Sequence, residues 1–145
     1  MATLRWATSE EDMALCYGIR HDVFVTEQAV PVELELDGYD ALARHALVVA
    51  DDGVAAGTAR LLLNTPQPGQ SKIGRVAVRP AYRGQGLASR LMRALEAEAA
   101  AQGQTSILLD AQLAVIPMYE KLGYQAFGPV FDDAGIDHRK MTRSL

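Results

Sequence analysis

The segment Arg75-Val76-Ala77-Val78-Arg79-Pro80-Ala81-Tyr82-Arg83-Gly84-Gln85-Gly86-Leu87-Ala88 ends an apolar strand, turns on two glycines and opens a helix. At such a junction the first helical N–H groups have no partner within the helix. They point, with the helix dipole, at whatever anion sits in the loop. A pyrophosphate is the natural ligand for that geometry. The helix from about Gly86 to Gln102 carries Leu87, Leu91, Met92, Leu95 and Ala99 on one face, and Gly103 stops it. A buried-looking strand, Ser106–Asp110, follows. A strand–helix–strand unit of this kind crosses right-handed and places both strands in one sheet.

The rest of the chain supplies a frame for that unit. Leu4–Ala7 reads as a first strand. Thr8-Ser9-Glu10-Glu11 reads as a capping box, opening a helix to about Val25 with Met13, Cys16, Tyr17, Arg20, Val23 and Phe24 at helical spacing. Thr26–Arg44 is acidic and irregular, with Glu33, Glu35, Asp37 and Asp40, and is expected to be a loop with at most a short helix. His45–Ala50 and Val54–Leu63 form a hairpin about Asp51-Asp52-Gly53. Asn64–Ser71 reads as a surface connection and Lys72–Val78 as the strand before the glycines. A short helix, about Ala114–Leu122, has Pro117 early and Gly123 as its stop. Phe127–Phe131 and Ile136–Arg143 close the sheet. The order β-α-(loop)-β-β-β-α-β-α-β-β predicts an α/β (α+β) fold, a mixed sheet with helices on both faces. At 145 residues, one domain over 1–145 is expected.

Composition narrows the function. The 14 basic and 18 acidic residues leave a net charge of −4 and no broad basic face, so nucleic acid is not an expected partner. No apolar run approaches a membrane span and Met1–Trp6 does not read as a signal peptide, which predicts no membrane partner and a cytoplasmic location. The single cysteine, Cys16, forms no internal disulfide and lacks ligand-spaced partners, so no metal is expected.

Three glycine-loop chemistries compete. A P-loop requires Lys-Ser/Thr after its last glycine, where this chain has Leu87-Ala88. A dinucleotide fingerprint misses only its third glycine at Ser89. That loop lies mid-chain, however, and only Asp110 stands near the position of the ribose-binding acid. The third form, Arg/Gln-x-x-Gly-x-Gly/Ala, is met by Arg83-Gly84-Gln85-Gly86-Leu87-Ala88. It resembles the acyl-CoA pyrophosphate loop of the GCN5-related N-acetyltransferases (GNATs). Ala111-Gln112 and Pro117-Met118-Tyr119-Glu120-Lys121-Leu122-Gly123-Tyr124 resemble the second half of that core, and the element order matches over nearly the whole chain. Ile19–Gln28, with Asp37, Asp40 and His45, resembles the small ElaA/YjcF-like branch. Gly135-Ile136-Asp137-His138-Arg139-Lys140-Met141 also resembles the glyphosate N-acetyltransferases.

The resemblance implies an acetyl-CoA-dependent N-acetyltransferase acting on the primary amine of a small molecule by direct attack in a ternary complex. Acetyl-CoA lies between Lys72–Val78 and Ser106–Asp110 in such enzymes. Backbone groups of Val76, Ala77 and Val78 then hold pantetheine, and amides of Arg83, Gly84, Gln85, Gly86, Leu87 and Ala88 hold pyrophosphate. A backbone N–H at Val76 stabilises the oxyanion. Tyr119 matches the tyrosine near the cofactor sulfur, a proton donor to the departing thiolate. His138 is the leading base, since histidine titrates near neutrality; His45 and Glu27 are the next candidates. Arg75 interrupts an apolar strand, so it either pairs with a buried carboxylate or faces the acceptor. Arg20 is interleaved with apolar neighbours in the same way. Both match arginines that clamp an anionic acceptor. Gln112 stands in place of a third arginine, so a monocarboxylate such as an amino acid fits better than a phosphonate. The opposite reading stays open on the sequence: Glu27, Asp37 and Asp40 pair with those arginines, or attract a cationic amine. A non-catalytic acyl-CoA binding or sensing module and a nicotinamide-binding protein are the other classes this sequence allows. A homodimer through a strand edge near the C-terminus is an expectation from the family.

Overall fold

The computed structural model describes all 145 residues, Met1–Leu145. Its seven strands form one sheet in the order β1-β2-β3-β4-β5-β7-β6. These are β1 (Thr3–Trp6), β2 (Arg44–Val49), β3 (Ala55–Leu62), β4 (Gln70–Val78), β5 (Ser106–Gln112), β6 (Gln125–Asp133) and β7 (Ile136–Ser144). Neighbours are antiparallel except β4 and β5, which run parallel and are joined by α3 (Leu87–Ala101). Alternation along the strands builds two cores. Ala46 and Val48 of β2 pack with Leu91, Met92, Leu95 and Ala99 of α3. Leu47 between them points to the other face, where Cys16 and Ile19 of α1 (Glu10–Arg20) cover the sheet. Helices thus flank both faces, as the sequence predicts.

Several boundaries differ from the sequence reading. The N-cap of α1 is Ser9, whose hydroxyl accepts from the Asp12 N–H at 3.0 Å. After Arg20 the chain continues as a π-helix, His21–Glu27, so the apolar spacing runs on while the hydrogen-bond register widens. The acidic stretch holds a short helix, α2 (Val32–Glu35), and a 3₁₀ turn at Asp40–Leu42. Ser71, expected in a surface connection, is fully buried in β4 and donates to Gln104 Oε1 at 2.8 Å. The helix after β5 splits into a 3₁₀ turn, Leu113–Val115, and α4 (Ile116–Lys121). The strand expected at Phe127–Phe131 extends over Gln125–Asp133 and carries a register shift between its two phenylalanines.

Two irregularities shape the centre of the sheet. β4 pairs with β5 only where Gln70, Ser71 and Lys72 face Ser106, Ile107 and Leu108. Beyond that point the two strands part. On its other side β4 slips against β3: Arg60 faces Gly74, but Thr58 faces Ala77, so Arg75 and Val76 together oppose Ala59. Arg75 sits at φ 51°, the left-handed conformation that turns such a bulge.

Candidate active site

A cleft of about 800 Å³ opens where β4 and β5 separate, a volume typical of small-molecule sites. Val76, Ala77 and Val78 form one wall, with Leu109, Asp110 and Gln112 of β5 facing them. The π-helix and its exit supply Val23, Phe24, Glu27 and Gln28, and Met118, Tyr119 and His138 complete the lining.

At one end lie Arg83, Gly84, Gly86, Leu87, Ala88 and Ser89. Gly84 and Gly86 have φ of 79° and 76°, which a side chain would strain, and this allows the tight turn into α3. No side chain caps α3, unlike α1 with its Ser9 cap. The N–H groups of the first turn of α3 therefore keep their donor capacity for an anion in the cleft. Gln85, named from the motif, is exposed and does not line the cleft.

Tyr119 is buried, with its ring edge-on to Tyr124 at 6.0 Å between centroids. Burial pushes its phenol up to about 12, so it stays protonated throughout the physiological range. His138 is 9% exposed, stacked on Phe131, with Nδ1 2.7 Å from the Ile136 carbonyl oxygen. A carbonyl only accepts, so Nδ1 carries the hydrogen and the neutral ring keeps its lone pair on Nε2.

The arginines named from sequence sit in a six-residue ion-pair network. Arg20, 1% exposed, donates from Nε and Nη2 to Glu35 and from Nη1 to Asp40 at 2.8 Å. Arg75 donates from Nε to Glu35 at 2.7 Å and from Nη2 to Asp37 at 3.0 Å. Arg60, which the sequence reading passed over, bridges Asp37 and Asp40. Burial pushes the Asp37 and Asp40 carboxyls up, but the arginine hydrogen bonds and charges outweigh it, and both end below the usual carboxylate range. His45 is buried beside this network, with Nε2 3.0 Å from the Asp40 carbonyl oxygen. Arg20 and His45 do not line the cleft, whereas Arg75 does. Gln112 reaches across the cleft and donates to Gln28 Oε1 at 2.9 Å. Glu27 forms a bidentate ion pair with Arg83 at 2.8 and 2.7 Å.

Residues 9–124 match the family model for the acetyltransferase (GNAT) family. The N-acetyltransferase YjcF of Bacillus subtilis is 35% identical over 138 residues, covering 94% of this chain and 96% of that protein. Among solved structures, an acyl-CoA N-acyltransferase from Pseudomonas aeruginosa is 32% identical with a TM-score of 0.84, covering 99% of this chain and 98% of that one. Escherichia coli ElaA is 26% identical with a TM-score of 0.87, covering 99% of each chain. The chain belongs to the GNAT family of acetyltransferases and is an acyltransferase enzyme. Within that family it falls with the ElaA/YjcF-like branch, and acetyl-CoA is the family's cosubstrate.

Proposed function

We propose that this enzyme acetylates the primary amine of a small molecule by direct attack, with acetyl-CoA and amine bound together. The observation that carries the reading is one cleft lined both by an uncapped helix N-terminus and by Tyr119 and His138. The loop end suits the pyrophosphate, with Arg83–Ala88 as its cradle, and the parted edge of β4 at Val76–Val78 suits the extended pantetheine. The amine binds beyond the thioester, near His138 and Gln112.

His138 Nε2 takes a proton from the ammonium or from the attacking nitrogen, giving the amine the lone pair that attack requires. The N–C bond forms as the thioester carbonyl becomes an oxyanion, for which the Val76 N–H is the proposed donor. The C–S bond then breaks and Tyr119 donates to the sulfur. Full proton transfer from a phenol near 12 to an ordinary thiolate near 8.5 is uphill by about 5 kcal/mol. Tyr119 therefore acts first as a hydrogen-bond donor, and its proton passes only as negative charge builds on the departing sulfur.

The arginine network bears on the acceptor. Arg20 is consumed internally, and Arg75 keeps only Nη1 without a protein partner. A single N–H fork of this kind suits at most one carboxylate on the acceptor, so an amino acid or a neutral amine fits better than a dianion. Thermal unfolding with acetyl-CoA, CoA, NAD or buffer tests the cofactor assignment. A ligand at about 100 times its Kd adds about 2.7 kcal/mol, several degrees for a domain of this size. Stabilisation by acetyl-CoA and CoA alone supports the reading, and thiol release against a panel of amines then defines the acceptor. Stabilisation by none of them refutes it.

A further inference from the structure

We infer that Glu27 competes with the pyrophosphate for Arg83 and so sets how tightly the enzyme holds CoA, an inference that rests on the proposed cofactor site. A guanidinium offers two edges for bidentate contact, Nη1/Nη2 and Nε/Nη2. Glu27 takes the first, with Oε2 accepting from Nη1 at 2.8 Å and Oε1 from Nη2 at 2.7 Å. The Val78 carbonyl oxygen takes Nε at 2.9 Å, which removes the second. Arg83 follows directly on the turn at Pro80–Tyr82 and precedes the two left-handed glycines, so its side chain stands at the phosphate end of the cleft. A phosphate gains bidentate contact with it only by displacing the Glu27 carboxylate.

The rest of the wall stays fixed during that exchange. Asp22, on the first turn of the π-helix, accepts from Arg79 Nε at 2.9 Å, and Arg79 also donates to the Ala55 carbonyl oxygen. The π-helix is therefore tied to the loop at two points, and only the Glu27 tie involves the phosphate-facing arginine. Glu27 and Arg83 are 38% and 43% exposed, so the exchange needs no unpacking. Displaced, Glu27 remains a negative charge beside the phosphates; when CoA leaves, it recaptures Arg83. The carboxylate thus weakens cofactor binding and assists product release.

The test compares CoA with acetyl-pantetheine, which lacks the pyrophosphate, by calorimetric titration of the full-length wild type, Glu27→Gln and Glu27→Ala. An exposed ion pair and one unit of like-charge repulsion predict CoA binding tighter by about threefold to tenfold in both variants. The gain shrinks as salt rises, and acetyl-pantetheine binds all three proteins alike. Unchanged or weaker CoA binding overturns the inference and makes Glu27 a support that aims Arg83. Equal tightening of both ligands also overturns it, because the effect then lies away from the phosphates. If the wild type binds CoA no better than acetyl-pantetheine, the pyrophosphate cradle itself is wrong, a failure distinct from the other two.

Discussion

Arg20→Leu separates a structural from a substrate-binding role for the buried arginine. The wild-type guanidinium is 1% exposed and spans Glu35, itself 5% exposed, and Asp40. Its removal leaves Glu35 to Arg75 and Asp40 to Arg60, so each carboxylate keeps one partner. Breaking a buried pair costs about 3–5 kcal/mol when a charge is stranded; with the remaining arginines in place the lower end, about 3 kcal/mol, is expected. For a chain of this length that is a fall in Tm of about 10 °C. The pH dependence carries a second signature. The folded-state Asp40 carboxyl lies below its ordinary 3.8, although burial alone pushes it up, and the Arg20 hydrogen bond is the largest opposing cause. A depressed carboxylate contributes stability above its unfolded value and loses it as pH falls through the folded one. The gap between wild type and Arg20→Leu is therefore full at neutral pH and narrows below about pH 4. Urea unfolding across pH 3–8 measures it. A loss under about 1 kcal/mol at pH 7, or a gap that widens in acid, refutes the reasoning.

Three other perturbations probe the cleft and its frame. Tyr119→Phe is expected to lower kcat by about 10²-fold with little change in KM for acetyl-CoA, as befits a donor used on the departing sulfur; unchanged kcat in steady-state assays would reject the role. His138→Gln is expected to lose activity most steeply toward low pH, where few acceptor molecules are already deprotonated; a pH profile parallel to wild type would reassign the base. Arg75→Gly and Arg75→Ala both remove the ion pairs to Glu35 and Asp37, but only alanine keeps the strain of φ 51°. The glycine variant should be more stable than the alanine variant by about 1 kcal/mol in chemical denaturation, and the reverse order would disprove the bulge argument.

The glycine turn into α3 was legible because two glycines and a helix start leave a local signature at Gly84, Gly86 and Leu87. Helices on both faces followed equally well from the spacing of Cys16 and Val23 and of Leu91, Met92 and Leu95. The arginine network was half legible. Arg75 stood out as a charge inside an apolar strand, yet Arg60 interrupts Ala55–Leu62 in the same manner and is 6% exposed. It pairs with carboxylates 20 and 23 residues away, and such distant partners have no local pattern. The π-helix was invisible for a different reason: an apolar stripe constrains which side chains face the sheet, not which carbonyl each N–H chooses. The bulge at Arg75 was equally hidden, since nothing about an arginine announces a positive φ.

The irregular features, hidden and legible alike, meet at one place, and that is why the cleft exists. A regular sheet satisfies its own N–H and C=O groups and offers nothing to a ligand. Here β4 slips against β3 at Arg75 and Val76, and its pairing with β5 ends at Lys72. The helix that follows starts on a left-handed glycine without a side-chain cap. Each departure leaves backbone hydrogen-bonding capacity unused, and all three border the same cavity. The network of Arg20, Arg60 and Arg75 with Glu35, Asp37 and Asp40 reaches the bulge through Arg75 itself, tying the irregular strand to the segment Glu35–Asp40. On this account the buried charges serve the backbone geometry of the cleft, and Arg75 belongs both to that frame and to the cleft wall.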